Sequence, residues 1–210
     1  MMLPVETLTI LAFIPAGLAL NLTPGADMMF CLGQGLRGGR RAAMAANFGI
    51  ASGGMVHTLL AGLGLGALVA AHPMAFEVIR WLGVTYLLWL AVAALRAAPL
   101  TGDAALKTFP AGKVFLQALL VNLLNPKVIL FILAFLPQFV DPARPILPQF
   151  LTLGAVFSLG GLIVNGAVGL FAGSIGPRLT RSDEFSRLLF RICAGIFGAL
   201  ALRLALLPRS

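Results

Sequence analysis

The segment Asn21-Leu-Thr-Pro-Gly-Ala-Asp27 interrupts the first long hydrophobic stretch of this 210-residue chain. It joins a helix-breaking Pro-Gly pair to an aspartate, and a charge at membrane depth costs at least a few kcal/mol unless it faces protein or water. A related segment, Asn122-Leu-Leu-Asn-Pro-Lys127, interrupts the fourth stretch and carries a lysine. Opposite charges on two similar breaks indicate a transport site rather than a soluble enzyme.

The composition is that of a membrane protein, because 60% of the residues are hydrophobic and 10% are charged. A soluble domain carries roughly 25% charged residues. We therefore expect residues 1–210 to form a single membrane domain. The net charge of +8 fits basic cytoplasmic loops beside anionic lipid, and not nucleic-acid binding, since basic residues are not interleaved with aromatics. The sequence contains no hydrolase triad, phosphate loop or metal-ligand cluster, so we expect no enzymatic activity, metal or cofactor.

Six apolar stretches have about the 20 residues that a membrane-spanning helix needs, which predicts an all-α integral membrane fold. The stretches are approximately Leu8–Leu36, Ala43–Ala71, Val78–Leu95, Val114–Val140, Leu147–Ile175 and Leu188–Leu207. The first and fourth are the longest and contain the breaks, so these two helices are predicted to be broken. Basic residues concentrate after the first, third and fifth stretches, which places those loops in the cytoplasm and both termini outside.

The two halves of the chain resemble each other when Pro24 is aligned with Pro126. The repeats then cover about 1–98 and about 112–210, with three spans in each. An odd number of spans turns the second half upside down, which predicts two inverted three-helix repeats. Transporters of this plan bind substrate near the membrane midplane on discontinuous helices.

Glycines support both the repeat and close helix packing. Gly53-Gly54 in the second stretch roughly matches Gly160-Gly161 in the fifth. The pattern Gly49-x-x-x-Gly53 lets helix backbones approach, although such patterns also arise by chance in membrane helices. These small residues suit contacts within the chain or in a homodimer.

In the first break, Thr23 is predicted to cap a half-helix that begins at Pro24, since proline lacks the N–H that a first helical residue would leave unpaired. Gly25 permits a close backbone approach. Asp27 then falls in the first turn, where the helix dipole favours a negative charge. It precedes Arg37 by about 15 Å of helix, half the membrane thickness, which disfavours the alternative that it only completes the helix start.

The second break predicts the same arrangement with the opposite charge. Asn125 is expected to cap, Pro126 to begin the half-helix and Lys127 to follow in its first turn. A cation there opposes the helix dipole, so Lys127 needs a compensating partner, and Asp27 is the candidate. A purely structural ion pair is the alternative.

The pair of charges suits a zwitterionic substrate. Lys127 and the free amides of the half-helix starts can bind a carboxylate, while Asp27 can bind an ammonium group or a coupling proton. Uncharged hydrogen bonds are expected from Asn21, Asn122 and Asn125. His57, in the second stretch, could shuttle protons because its pKa is ordinarily near neutrality, or could form a hydrogen bond across a helix interface.

These motifs resemble those of the lysine exporter family of bacterial amino-acid exporters. The resemblance covers essentially the whole chain and is carried by Asn21–Asp27, by Gly49-Ile-Ala-Ser-Gly-Gly running to His57, and by Asn122–Phe131 running to Leu136-Pro-Gln-Phe139. The family commonly has a second proline where this chain has Ala26. The resemblance implies a multi-pass inner-membrane protein that exports amino acids or derivatives, driven by the proton gradient, with Asp27 and Lys127 as functional positions.

Two alternatives remain open at the level of sequence. One is an exporter of an inorganic cation or another small metabolite, which a lysine beside the single intramembrane aspartate disfavours. The other is a non-transporting membrane scaffold or accessory subunit, which has no use for a charge pair at mid-depth.

Overall fold

The computed structural model describes residues 4–71, 74–96, 109–172 and 183–206, and every regular element in these ranges is helical. Its α-helices are α1 (Thr7–Leu22), α2 (Ala26–Ala71), α3 (Met74–Arg96), α4 (Ala111–Leu123), α5 (Pro126–Leu130), α6 (Ile146–Leu170) and α7 (Asp183–Ala205). The all-α prediction is confirmed for these ranges. The predicted basic loops at 97–108 and 173–182 lie outside the described residues.

Both predicted breaks are present. The chain bends by 56° between Thr7–Leu22 and Ala26–Gly64, and by 52° between Ala111–Leu123 and Pro126–Phe139. After α5 the second broken segment continues as a π-helix, Phe131–Phe135, and a 3-10 helix, Leu136–Phe139. Changes of helix type of this kind frequently occur at functional sites.

A further kink divides α2 at Gly39, whose φ of 66° lies in the left-handed region. Glycine adopts this conformation without the steric cost that a Cβ atom would bring. The kink lies in the basic segment where the first cytoplasmic loop is predicted. By length and apolar composition, α6 is the one described helix that could cross a membrane unaided, and the number rises to three if each bent pair is a single span. The count of six spans therefore stays a prediction.

Helix α2 lies at the centre of the described helices and packs along both α4 and α6. The α2–α4 contact uses the predicted glycine pattern: a Cβ atom at Gly49 would stand 2.8 Å from Cβ of Ala118, and one at Gly53 would stand 2.8 Å from Cβ of Asn122. Gly49-x-x-x-Gly53 therefore marks a real contact between helices.

The parts of the two broken segments that precede and follow the breaks pack against different helices. α1 lies against α6 and α7, whereas α4 lies against α2, and the π-helix lies against α3. Aromatic side chains fill the space between them, with ring centroids 5.0 Å apart for Phe131 and Phe157 and 5.3 Å apart for Phe13 and Phe139. This buried cluster fixes the first and second breaks beside each other.

Candidate functional site

The first break differs in detail from the prediction. The Thr23 hydroxyl donates a hydrogen bond to the carbonyl of Ala19 at 2.7 Å, so Thr23 ends α1, and α2 begins only at Ala26. The prediction that Thr23 caps a half-helix beginning at Pro24 was wrong. A residue before proline favours extended backbone, and a threonine hydroxyl readily bonds back to the preceding helical turn.

The second break has the predicted geometry. The Asn125 side-chain oxygen accepts a hydrogen bond from the backbone N–H of Lys127 at 3.0 Å, and Pro126 occupies the first position of α5. The asparagine thereby satisfies one of the amides that a helix start leaves unpaired. Lys127 follows in the first turn of α5.

The ammonium group of Lys127 reaches across to the other break. Its Nζ atom donates to the carbonyl of Leu20 at 3.0 Å, in the last turn of α1, and to that of Thr23 at 2.8 Å, the residue that caps this helix. A cation is favoured at a helix C-terminus, where these carbonyls carry partial negative charge. The lysine that opposes the dipole of its own helix therefore lies at the favourable end of another. A Cβ atom at Gly25 would stand 3.2 Å from Nζ, so this glycine leaves room for the lysine side chain.

Asp27 lies in the first turn of α2, as predicted, and is only 8% exposed. Its Oδ2 atom accepts a hydrogen bond from Nδ2 of Asn122 at 2.9 Å. Among the residues that the structure describes, no hydrogen bond reaches its Oδ1 atom. A buried polar atom without a partner is uncommon in a native protein, and it leaves this carboxylate with capacity for a further hydrogen bond.

Asp27 and Lys127 line one small cavity between the two breaks, as do Leu20, Asn21, Met28, Val128, Phe157 and Asn165. Its volume of about 10 Å³ has room for about one water molecule. The site must therefore open before an amino acid can enter. The structure brings the two predicted charges to one cavity, and their direct ion pairing stays a prediction.

Of the predicted asparagines, Asn21 lines this cavity, whereas Asn122 and Asn125 lie outside its lining and bond Asp27 and the start of α5. Nδ2 of Asn21 donates to the carbonyl of Phe157 at 3.1 Å. Asn165 also lines the cavity, and its Oδ1 atom has no hydrogen-bond partner among the described residues. A lone asparagine in an apolar helix gives no local signal of its role, because such residues often only join helices.

His57 lies beside the second break and outside the cavity lining. Its Nε2 atom is 3.3 Å from the carbonyl of Asn122. In a continuous helix the N–H four residues later would bond this carbonyl, but that residue is Pro126, which has no N–H. The geometry fits the interpretation of His57 as a hydrogen-bond donor across a helix interface.

Tyr86 is a residue that the sequence reasoning missed. Its hydroxyl donates to the carbonyl of Lys127 at 2.8 Å, and the residue is 6% exposed. The available signal was that this is the sole tyrosine of the sequence, and that a buried tyrosine hydroxyl usually has a partner.

A buried carboxylate and an ammonium group, placed where two broken apolar helices meet, are typical of membrane transport proteins. The comparisons agree: the chain matches the model of the LysE type translocators over residues 18–207. It belongs to the LysE type translocator family, which fits the expectation of a transport protein rather than an enzyme. The lysine exporter resemblance of the sequence is thereby confirmed.

Three relatives illustrate the similarity. An uncharacterized membrane protein of Vibrio cholerae is 34% identical over 93% of this chain and 95% of its own length. A homoserine/homoserine lactone efflux protein of Salmonella typhimurium is 36% identical over 73% of this chain and 75% of its own. A leucine efflux protein of Salmonella choleraesuis is 36% identical over 70% of this chain and 73% of its own. No solved structure matches the chain.

Proposed function

We propose that this protein exports amino acids or their derivatives from the bacterial cytoplasm in exchange for protons. The observation that carries the proposal is the shared cavity of Asp27 and Lys127, two opposite charges at the junction of two broken helices. The relatives named for leucine efflux and for homoserine/homoserine lactone efflux support this class of substrate. The ammonium group of Lys127 disfavours export of an inorganic cation, because it repels a cation in the same cavity.

In this proposal Asp27 binds the substrate ammonium group. Its Oδ1 atom has unused hydrogen-bonding capacity among the described residues, and a charge-assisted bond is roughly twice as strong as a neutral one. Leucine and homoserine lactone share an amino group, whereas a lactone has no free carboxylate. The contact with Asp27 is therefore the one that suits both kinds of compound.

Lys127 binds the carboxylate of a free amino acid. Its ammonium group donates to the carbonyls of Leu20 and Thr23, and a carboxylate is a stronger partner because it carries a full negative charge. Substrate binding thereby competes with the contact that joins α5 to the end of α1. Exchanging one set of partners for the other links occupancy of the site to movement of one broken helix against the other.

Proton exchange follows from competition at Asp27. The carboxylate binds either a proton or the substrate ammonium group, but not both at once. When the site alternates between the two sides of the membrane, the substrate leaves on one side and a proton returns in its place, so the two move in opposite directions. Asn21, Asn122, Asn125 and Asn165 supply hydrogen bonds that do not change charge during the cycle.

The proposal includes two inverted three-helix repeats, with both termini outside. Its support is that each half contacts the glycines of the other. Asn122 of the second half packs against Gly53 of the first. Asn21 of the first half packs against Gly160 and Gly161 of the second, 3.1 and 3.2 Å from Cβ atoms added at these glycines. Each broken segment thus contacts the glycine pair of the other half. Rocking one half against the other would expose the cavity to each side in turn.

The test is a pair of strains, one lacking the gene and one overexpressing it, in which efflux is measured across a panel of amino acids. Overexpression should accelerate efflux of at least one compound, and a protonophore should stop it. Asp27→Asn should abolish net transport while the amount of protein in the membrane is unchanged. Asp141→Asn is the matched control, since Asp141 is an exposed loop residue that bonds Arg144. Unchanged efflux for every compound, or full transport by Asp27→Asn, would contradict the proposal.

A further inference from the structure

A second and much larger cavity lies on the other side of α5. Its volume is about 1020 Å³, and its lining is almost entirely aliphatic and aromatic, drawn from α2, α3, α5, α6 and the segment after α5. It is an open groove, since its lining residues Leu60, Leu82 and Trp89 are 61%, 59% and 57% exposed. Cavities that bind small organic molecules have volumes of about 300–1,000 Å³ and mostly apolar walls.

A single helical turn separates this apolar groove from the polar cavity. Lys127 and Val128 line the polar cavity, whereas Pro126, Ile129 and Leu130 line the groove. Neighbouring residues of one short helix therefore border both spaces. The two spaces lie back to back, with α5 as the wall between them.

Three polar side chains of the groove already have hydrogen-bond partners. The Tyr86 hydroxyl donates to the carbonyl of Lys127, His57 contacts the carbonyl of Asn122, and the Thr85 hydroxyl donates to the carbonyl of Trp81 at 2.9 Å. The groove thus offers a ligand apolar contact and little else. The Tyr86 bond also holds the backbone of the α5 wall, and the His57 contact holds the end of α4 just before it, so groove residues bond both sides of the second break.

We propose that this groove receives the apolar side chain of the exported amino acid, while Asp27 and Lys127 bind its charged groups. The inference rests on the proposed function and adds the substrate class: amino acids with large apolar side chains, in preference to polar ones of similar size. Opening of the α5 wall joins the two spaces into one site with a charged end and an apolar end. The volume of the groove leaves room for long or aromatic side chains.

Gly64 gives a direct test, because it lines the groove and no atom of the described residues lies within 4 Å of a Cβ atom added there. A leucine side chain at this position would fill part of the groove without a steric clash with the backbone. The matched control is Gly195→Leu on α7. An added Cβ atom there likewise has no described residue within 4 Å, and Gly195 does not line the groove.

The measurement is efflux of alanine, threonine, leucine and phenylalanine by the full-length protein, with the amount in the membrane determined by immunoblotting. Gly64→Leu should lower efflux of leucine and phenylalanine relative to alanine by about tenfold, the usual consequence of crowding a hydrophobic pocket by a few methylene groups. Gly195→Leu should keep the wild-type ratio. If Gly64→Leu does not accumulate, Gly64→Ala should change the ratio in the same direction by a smaller factor.

The outcomes separate this inference from the proposed function. If the wild type exports amino acids but Gly64→Leu keeps the wild-type ratio, the groove holds lipid and the inference is wrong. An equal loss of efflux of all four compounds by Gly64→Leu also overturns the inference, because the groove then has a structural role. A change in the oligomeric state of Gly64→Leu on size-exclusion chromatography overturns it as well, because the groove is then a contact between subunits. If the wild type exports none of them, the proposed function fails and the groove assignment fails with it.

Discussion

Removing the ammonium group of Lys127 tests the contact that joins the two breaks. Lys127→Met keeps an unbranched side chain as far as Cε, removes Nζ, and so deletes the hydrogen bonds to the carbonyls of Leu20 at 3.0 Å and Thr23 at 2.8 Å. Measured hydrogen bonds between membrane helices average about 0.6 kcal/mol and reach about 1.7 kcal/mol. Two such bonds therefore stabilise the folded state by about 1–3 kcal/mol.

The assay is thermal unfolding of the purified protein in detergent. For a chain of this size, about 1 kcal/mol changes the melting temperature by about 2–4 °C, so Lys127→Met should melt several degrees below the wild type. Lys113→Met is the control, because Lys113 is exposed at the start of α4 and its Nζ atom lies 4.5 Å from the Phe109 ring centroid. An exposed cation–π contact is worth only about 0.5–1 kcal/mol.

Transport measurements then separate a structural role from a binding role. Lys127→Met should lose export of free amino acids, because the site lacks its carboxylate partner. The double variant Asp27→Asn, Lys127→Met tests the structural ion pair: if the two charges only neutralise each other, removing both restores the protein. Wild-type transport by the double variant would refute the binding role. An unchanged melting temperature for Lys127→Met would refute the stabilising role of the carbonyl contacts.

Three further predictions follow from contacts around the breaks. Gly53→Ala should lower the free energy of unfolding by about 1–3 kcal/mol through overpacking, because its Cβ atom would stand 2.8 Å from that of Asn122. Gly64→Ala on the same helix should not destabilise the protein, and the melting temperatures of the two variants test this pair of expectations. Tyr86→Phe should lower stability by about 0.5–1.5 kcal/mol, the contribution of one hydrogen bond, and wild-type melting would contradict this. His57→Gln should retain proton-driven efflux if the histidine only bonds the backbone of the broken helix, and its loss with normal protein levels would favour a proton shuttle instead.

The sequence predicted the breaks because their cause is local. Proline lacks a backbone N–H and restricts its own φ angle and the conformation of the residue before it. Asn125 therefore caps α5 and Pro126 begins it, as predicted. Thr23 was assigned wrongly because its hydroxyl has two local choices, a cap on the following helix or a bond to the preceding turn. Sequence alone does not decide between them, whereas the packed structure does.

The partners of the charges could not be predicted, because they are distant in sequence. Lys127 bonds residues more than 100 positions earlier, and Asp27 is bonded by Asn122, 95 positions later. Such pairs depend on how the two broken segments pack, to which the Gly49 and Gly53 contacts between α2 and α4 contribute. The repeat indicated that the breaks approach each other, but not that the lysine would bond α1 carbonyls.

The wall between the two cavities owes its position to neighbouring elements. A helix of five residues has no independent stability, since forming the first turn fixes several residues for one hydrogen bond. Its position therefore depends on the Asn125 cap, the Tyr86 hydrogen bond to its backbone, and the Lys127 contact with the end of α1. If Lys127 binds a substrate carboxylate as proposed, its ammonium group leaves α1 and one of these three constraints is removed. In the proposed function, binding at the charged end thereby loosens the same turn that separates the polar cavity from the apolar groove, which would link recognition of the side chain to recognition of the charges.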